Sequence, residues 1–415
     1  MFHNDLEGAA PAARAEAQWK ALCGVIAKAA KLSREFRARL ARSGLTARDA
    51  ATREGFAALA PLRKKDLLAL QQERGLDWLL TCAPGELRRI YQSPGPLFDP
   101  EGARRDYWGW TEAFHAAGFA KGDLVQMTFS YHLTPAGLML EEPLRELGCA
   151  VIPAGPGNTD VQVELMRRLP VTGFVGMASY LKVIGDKAAS LGLDPKADLR
   201  LRKAFVAAER LSPALRAEVE ALFGCTVRQG YGTADVGCIA YECAQACGMH
   251  VSSRAWVEVC DPQTGRPLPV GQVGEVVVTP FVREYPLIRL ATGDLSRLVD
   301  ASVGAPCGCG RGSARLDGIH GRADDTAKVK GQFIYPAQAA QVAAQFPQVR
   351  AWQIVITNPG GKDRLTVRLA VAGNLDVSAF GTAFQAVLKL RPEVAVLGPE
   401  DIAPDAKRLL DERVF

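Results

Sequence analysis

Long apolar runs are missing from this 415-residue sequence. No stretch approaches the roughly 18 consecutive apolar residues that a membrane-spanning helix needs, so we expect no membrane contact. The first residues include acidic side chains and no apolar segment, which argues against a secretory signal and favours a cytoplasmic location. An excess of one charge is also missing, since 50 Lys and Arg residues stand against 45 Asp and Glu residues. No basic block interleaves with aromatic residues, so nucleic acid is not an expected partner.

The composition that remains is that of a globular protein. Hydrophobic residues make up 48% of the sequence and charged residues 23%, which excludes wholesale disorder, a collagen-like fibre and a disulfide-stabilised miniprotein. The length allows roughly two or three domains. Ten cysteines are present, and six of them fall between positions 238 and 309. Because a reducing compartment keeps cysteines as thiols, this clustering favours metal binding over disulfides.

Short apolar runs alternate with helical stretches from about residue 123 onwards. Examples are GCAVIPAG (148–155) and VTGFVGM (171–177), and this alternation predicts βαβ units with a parallel sheet. Closely spaced strands with turn-rich connections over 255–300 predict antiparallel structure. A shorter alternation of strands and helices follows residue 321.

The predicted fold class is therefore α/β. We predict a large N-terminal domain over 1–321, with mixed, partly parallel sheets, helices and a β region. A small α+β C-terminal domain is predicted over 322–415. Residues 1–75 are predicted to be a helical part of the large domain, with an amphipathic helix over 13–43 and a second helical stretch, punctuated by Gly and Pro, near 47–74.

Three segments occur in an order that resembles a known superfamily. They are YGTADVG (231–237), PLIRLATGDLS (286–296) and GRADDTAKVKGQFIYP (321–336). Their order and spacing are similar to those of the adenylate-forming acyl-CoA ligases. GPGNTDVQVELMRRL (155–169) and VAAERLS (206–212) resemble the phenylacetate-CoA ligase family in particular.

The resemblance implies a reaction in two halves. A small aryl or acyl carboxylate attacks the α-phosphate of ATP to give an acyl-adenylate and pyrophosphate. The small C-terminal domain then rotates, and coenzyme A or an acyl carrier protein takes the acyl group while AMP leaves. Because two anions must be held together, Mg²⁺ and cationic groups are implied as well. On general prevalence, the expected oligomer is a homodimer.

The same resemblance implies roles for individual residues. Tyr231 would stack on adenine, Asp235 would hold Mg²⁺ as a catalytic residue, and Asp294 would bind the ribose hydroxyls. Asp324 would be the hinge between the domains. The remaining positions implied in nucleotide or coenzyme A binding are Ser93, Gly95, Glu209, Gln229, Gly232, Thr233, Arg322, Lys328 and Gly331.

Three cysteines and a histidine have a spacing that suits a metal ion. Cys243 and His250 are followed by the C-x-C pair of Cys307 and Cys309, and such a Cys₃His set suits tetrahedral zinc. Some members of the family carry such a cluster. Four protein ligands leave no open coordination position, so the implied zinc is structural. Cys238 and Cys247 are alternative ligands.

Two phosphate-handling segments depart from the family pattern. The family loop S-S-G-T-T-G-K-P corresponds to residues 93–100, where Pro94 and Pro96 lack an N–H and Asp99 replaces the lysine. In the C-terminal tail, Asp405 stands at the position of the family lysine that drives adenylation, and Lys407, two residues on, is the candidate substitute.

Two functional hypotheses follow from these departures. The first is an adenylate-forming ligase of an aryl or acyl carboxylate. The alternative is a non-adenylating relative that binds an acyl group, coenzyme A or AMP, or a transferase that uses a pre-activated acyl group. The sequence does not identify the carboxylate.

Overall fold

The computed structural model describes residues 2–93, 95–299, 307–323, 327–330, 332–334, 336–403 and 405–414. The chain divides into two compact units, Met1–Gly321 and Arg322–Phe415. Each unit has its own hydrophobic core. In the described part of the chain, no helix has both the length and the apolar character that crossing a bilayer requires.

The chain begins with a series of helices and one short strand. These are α1 (Asp5–Gly8), α2 (Pro11–Leu32), α3 (Arg34–Arg42), α4 (Ala47–Ala50), α5 (Arg53–Ala58), β1 (Leu62–Arg63) and α6 (Lys64–Arg74). The predicted single helix over 13–43 is wrong, because Ser33 adopts an extended conformation and its hydroxyl caps α3 by accepting from the Phe36 N–H. The helical stretch predicted near 47–74 consists of three helices, since Thr52 caps α5 and β1 separates α5 from α6.

A hairpin and a series of βα units follow. The elements are β2 (Arg89–Ser93), β3 (Leu97–Glu101), α7 (Thr111–Ala116), β4 (Leu124–Met127), α8 (Ala136–Glu146), β5 (Ala150–Pro153), α9 (Thr159–Arg168), β6 (Gly173–Gly176), α10 (Ala178–Ser190), α11 (Pro195–Asp198), β7 (Lys203–Val206), α12 (Pro213–Phe223) and β8 (Thr226–Thr233). Strands β5, β4, β6, β7 and β8 lie side by side in that order, and all are parallel.

The sheet continues into an antiparallel region. Its strands are β9 (Gly237–Glu242), β10 (Met249–Val251), β11 (Ala255–Cys260), β12 (Val273–Pro280), β13 (Leu290–Val299) and β14 (Arg315–Leu316). Beyond β8 the order is β9, β10, β14, β13, β12 and β11, and β1 pairs in parallel with β13. One large sheet therefore holds both the parallel and the antiparallel parts, and the predicted α/β class is confirmed.

The C-terminal unit contains a smaller sheet with helices. After β15 (Gly321–Arg322), its elements are β16 (Ala327–Val329), β17 (Gln332–Ile334), α13 (Pro336–Ala343), β18 (Val349–Thr357), β19 (Arg364–Val371), α14 (Val377–Leu388), β20 (Glu393–Leu397) and β21 (Leu409–Asp411). The four-stranded sheet has the order β20, β19, β18, β21. Phe380 and Phe384 of α14 are buried against it together with Ile354 and Leu369.

Candidate functional site

The YGTADVG motif lies where the parallel part of the large sheet ends. Tyr231, Gly232 and Thr233 are the last residues of β8, and the chain then turns through Asp235 into β9. In open α/β sheets, ligands bind beyond the carboxyl ends of parallel strands. Gly232 is required by close packing, since a Cβ there would lie 2.5 Å from Cζ2 of Trp110. The sequence motif is thus placed at the edge where a ligand is expected.

Tyr231 and Asp294, which are far apart in the sequence, meet at this edge. The Tyr231 hydroxyl donates to Oδ2 of Asp294 at 2.8 Å and lies 3.1 Å from Oγ1 of Thr292. Asp294 and Thr292 both belong to β13. The hydrogen bond holds the phenol ring and the carboxylate in one position, so the two groups expected to contact adenosine are brought together by the fold.

Asp235 lies in a second, adjoining group of polar side chains. It is buried, it accepts a hydrogen bond from the Thr233 hydroxyl, and its Oδ2 is 3.3 Å from Nζ of Lys64. Lys64 is the first residue of α6 and is itself mostly buried. A carboxylate and a hydroxyl are oxygen ligands of the type that Mg²⁺ prefers, and Lys64 adds a positive charge beside them.

The hairpin β2–β3 carries the segment that corresponds to the family phosphate loop. Ser93 pairs with Leu97 across the turn, Gly95 has a φ of +119°, and Pro94 lies outside the described residues. Gln71 of α6 holds the outgoing strand, because its side chain accepts from the Phe98 N–H at 2.7 Å and donates to the Phe98 carbonyl at 2.9 Å. The altered loop is therefore a hairpin turn, and α6 holds its outgoing strand in place through the side chain of Gln71.

Asp99 is buried in this hairpin rather than exposed to a ligand. It is 1% exposed, and among the described residues neither of its carboxylate oxygens has a hydrogen-bond partner. Burial, with the nearby charge of Asp235, raises the pKa of Asp99 to about 8, and Ser93 and Lys64 offset part of this. The carboxyl is therefore mainly protonated at neutral pH. Asp99 therefore presents less negative charge to a bound phosphate than an exposed aspartate at this position would.

Two of the predicted nucleotide-binding residues are occupied by other hydrogen bonds. The Gln229 amide donates to Glu242 at 2.9 Å, and Glu242 also accepts from Arg216. Glu209 accepts from both the N–H and the hydroxyl of Ser179 at 2.7 Å, at the beginning of α10. Their contact with a nucleotide remains a prediction.

The other predicted residues belong to the C-terminal unit. Arg322 lies in β15, and Lys328 lies in β16, where its backbone pairs with Phe333 of β17. Lys407 is exposed just before β21, and its carbonyl accepts from the Gln353 side chain at 2.9 Å. Gly331 and Asp324 lie outside the described residues. Their roles likewise stay predictions.

The Cys₃His set comes together in three dimensions. The ligand atoms of Cys243, His250, Cys307 and Cys309 all lie within 4.8 Å of one another. Cys243 follows β9, and His250 lies in β10, where burial, followed by nearby arginines, lowers its pKa to about 3. A neutral imidazole has a free lone pair for a metal, and Nδ1 of the ring is 2.8 Å from the Ser313 hydroxyl. The donor set fits zinc.

The two alternative ligands differ in position. Cys238 is buried within β9, paired with Gly232, and does not belong to the group of four. Cys247 is exposed, and its Sγ is 3.0 Å from that of Cys307. Cys247 is thus at the margin of the cluster and Cys238 is away from it.

Sequence reasoning missed Lys64 and the burial of Asp99. Lys64 is one of two consecutive lysines at the start of a helix, a pattern that ordinarily indicates a solvated surface. Its partner Asp235 is far away in the sequence, so only the fold could reveal the pair. For Asp99 no such signal was available, because alternation of a phenylalanine and an aspartate predicts a buried Phe98 and an exposed Asp99, the reverse of what the structure has.

Comparisons with known proteins address the family directly. Residues 109–280 match the AMP-binding enzyme family. The sequence is 31% identical over 263 residues to phenylacetate-coenzyme A ligase from Pseudomonas putida, covering 62% of this chain and 58% of that protein. It is 30% identical over 295 residues to phenylacetate-coenzyme A ligase from Escherichia coli (strain K12), covering 68% and 66%. The chain belongs to the phenylacetate-CoA ligase family.

This family member is not matched along the whole length of its relatives. The chain spans less than two thirds of each of the two relatives named above. The fold comparison is more extensive, since a crystal structure of 2-hydroxyisobutyryl-CoA ligase in complex with 2-HIB-AMP and CoA superimposes with a TM-score of 0.88. That match covers 98% of this chain and 91% of that one at 24% identity. The likeness establishes that this member has the fold of an adenylate-forming protein.

Proposed function

We propose that this family member activates a small aryl or acyl carboxylate with ATP and transfers the acyl group to coenzyme A. A carboxylate is a poor electrophile, and its mixed anhydride with AMP provides a good leaving group. In the first step a carboxylate oxygen forms a bond to the α-phosphorus while the bond to pyrophosphate breaks. In the second, the thiol sulfur of coenzyme A attacks the acyl carbon and AMP leaves.

The meeting of Tyr231, Asp294, Thr233 and Asp235 at the end of β8 carries this proposal. The Tyr231–Asp294 hydrogen bond fixes an aromatic face beside a carboxylate, which suits adenine and the two ribose hydroxyls. Thr233 and Asp235 lie next along the chain, where the phosphates would follow the ribose. When Mg²⁺ binds at Asp235, it neutralises phosphate charge, and Lys64 contributes a second positive charge there.

Two further roles in this reaction are proposals from the family pattern. Lys407 would supply the positive charge of the adenylation lysine, and Arg322 and Lys328 would contact the nucleotide or coenzyme A. An acyl carrier protein is an alternative acceptor, and a homodimer and a cytoplasmic location are the expected context.

The test is pyrophosphate release from Mg·ATP with a panel of aromatic and aliphatic carboxylates, after calorimetric titration with Mg·ATP and with AMP. We expect ATP binding and acid-dependent pyrophosphate release, and both should weaken strongly in Asp235→Asn. Binding of neither ATP nor AMP would overturn the ligase proposal. AMP binding without ATP binding would leave a nucleoside site that does not activate carboxylates.

We also propose a structural zinc ion at Cys243, His250, Cys307 and Cys309. The observation in its support is that four ligand atoms converge within 4.8 Å on donors that zinc prefers. The ion would join the strand pair β9–β10 to the segment around residue 307. Metal analysis of the purified protein should give about one zinc per chain, and Cys243→Ser should abolish it.

One observation favours the second candidate function, a relative that binds an acyl group, coenzyme A or AMP without adenylation. Both family lysines of the phosphate-handling segments are aspartates here, Asp99 and Asp405. Under this alternative the protein would bind AMP or an acyl-CoA but release no pyrophosphate from any acid of the panel. The two candidates therefore predict different results in the same assay.

A further inference from the structure

We propose that Cys247 and Cys307 form a redox-sensitive thiol pair that controls whether the Cys₃His site retains its metal. Oxidation of the exposed Cys247, followed by a disulfide to Cys307, would remove one of the four ligands and release the ion. This inference rests on the structural zinc proposed above. It assigns a modification site, Cys247, that has no part in carboxylate activation.

The geometry of the cluster leaves one thiol in excess. Tetrahedral zinc takes four ligands, and these are supplied by Cys243, His250, Cys307 and Cys309. Cys247 is a fifth donor, and its Sγ lies 3.0 Å from Sγ of Cys307, closer than the 3.5 Å that separates Cys243 from Cys307. A disulfide bond is about 2.05 Å long, so a movement of about 1 Å brings the two sulfurs to bonding distance.

Cys247 is also the accessible member of the cluster. It is exposed, whereas Cys243 and Cys307 are buried and Cys309 is half-buried. It lines a surface cleft of about 260 Å³ together with Gly248, Val299, Arg315 and Asp317. A small oxidant can therefore reach this sulfur through the cleft before it reaches the metal ligands.

Arg315 positions this thiol. Its guanidinium donates to Sγ of Cys247 at 3.0 Å and to the Cys247 carbonyl at 2.7 Å. Arg315 is itself 8% exposed, so its guanidinium is held in place by its surroundings. These two hydrogen bonds hold the Cys247 sulfur in position beside Cys307.

The chemistry balances with a peroxide as the oxidant. The Cys247 thiolate attacks one peroxide oxygen, the O–O bond breaks, and hydroxide leaves as Cys247 becomes a sulfenic acid. The Cys307 thiolate then attacks this sulfur, a second hydroxide leaves, and the disulfide forms. The two sulfurs together lose two electrons, which reduce the peroxide to two hydroxides, and protons from the solvent convert these to water. A dithiol reductant reverses the change and restores the ligand.

The experiment measures zinc release from the full-length protein during treatment with hydrogen peroxide, using a chromogenic chelator. We expect wild type to release zinc with the appearance of a Cys247–Cys307 disulfide in peptide mapping. Cys247→Ser should contain zinc as purified. During peroxide treatment it should release this zinc on the order of tenfold more slowly than wild type. Cys82→Ser, a half-buried cysteine away from the cluster, is the matched control and should behave like wild type.

The outcomes distinguish the proposed redox switch, the Cys247–Cys307 thiol pair, from the zinc site itself. Zinc present in wild type but released equally fast from Cys247→Ser would overturn the switch alone, as would a disulfide that joins other cysteines. Wild type purified without zinc would overturn the structural-zinc proposal and the switch with it. Alkylation of Cys247 in the zinc-loaded wild type gives an independent measurement, and it should protect the metal against peroxide.

Discussion

The buried carboxyl of Asp99 predicts an unusual dependence of stability on pH. Its pKa is about 8 in the folded chain, chiefly because of burial and then because of the charge on Asp235. An exposed aspartate in the unfolded chain has a pKa of about 4. Between these values the folded state binds a proton that the unfolded state does not, so Asp99 makes the free energy of unfolding fall as the pH rises.

The size of this pH effect on stability follows from the range of pH between the two pKa values of Asp99. Each pH unit well inside this range lowers the free energy of unfolding by about 1.4 kcal/mol. Because the Asp99 carboxyl is already half ionised at pH 8, the step from pH 6 to pH 8 lowers it by roughly 2 kcal/mol. Asn has the shape of a protonated aspartate and does not titrate. We therefore expect Asp99→Asn to match wild type near pH 4 and to become the more stable protein as the pH rises, with most of the difference present at pH 8.

The assay is thermal unfolding of both proteins from pH 5 to pH 9. A gain of roughly 2 kcal/mol corresponds to a midpoint difference that grows by about 4 °C between pH 6 and pH 8. Asp405→Asn, which removes an exposed carboxylate, is the control and should follow the wild-type profile. If Asp99→Asn and wild type show parallel profiles over the whole range, Asp99 is ionised in the folded protein and the reasoning is refuted.

Three other substitutions test the packing and the nucleotide site. Ala208 has a φ of +73°, so Ala208→Gly should raise the unfolding midpoint by the equivalent of about 0.5–1 kcal/mol, while Ala207→Gly should lower it. Arg289 is fully buried and ion-paired with Glu258 at 3.0 Å, so Arg289→Met should destabilise by about 3–5 kcal/mol in urea unfolding, and a loss below 1 kcal/mol would contradict this. Asp294→Ala should weaken AMP binding roughly 10- to 100-fold in calorimetry, and an unchanged affinity would remove Asp294 from the ribose site.

The parallel half of the fold could be predicted because its signals are local. Each strand from β4 to β7 is a short apolar run that ends in Gly, Pro or small residues, and the chain between two strands has helical periodicity. The division of the first helices could not be predicted in the same way. Ser33 is tolerated inside a helix by propensity, and only its cap on α3 shows that it begins a new one. The pairing of Leu62 with Leu290 depends on residues too distant in sequence for any local pattern.

The site was predictable to the extent that its chemistry lies in continuous motifs. Tyr231 and Asp294 belong to segments with recognisable order and spacing, and the fold joins them by a hydrogen bond. The environment of Asp99 was not predictable, because a charge in a loop is ordinarily solvated and only the hairpin buries it. The pair Lys64–Asp235 was missed for the related reason that a motif carries no information about which distant side chain faces it.

The two lysine-to-aspartate differences from the family are not equivalent, and this decides how activity should be tested. Asp99 is buried, so Asp99→Lys would place an ammonium group in the core, and any loss of activity could reflect misfolding. Asp405 is exposed in the C-terminal unit, so Asp405→Lys should fold normally. If the missing lysine limits adenylation, Asp405→Lys should raise the rate of pyrophosphate release about tenfold or more, beyond any effect of Asp405→Ala, which removes only the negative charge.

Substitution of Lys407, in the same segment, tests whether the chain already has the positive charge that Asp405→Lys would add. If Lys407 already supplies the catalytic charge, Lys407→Ala should abolish pyrophosphate release, and Asp405→Lys should add little. Binding of AMP should survive in both variants, since the proposed adenosine contacts lie in the N-terminal unit. If both variants release pyrophosphate at the wild-type rate, the tail takes no part in adenylation. The cation would then have to come from the N-terminal unit, where Lys64 is already placed beside Asp235.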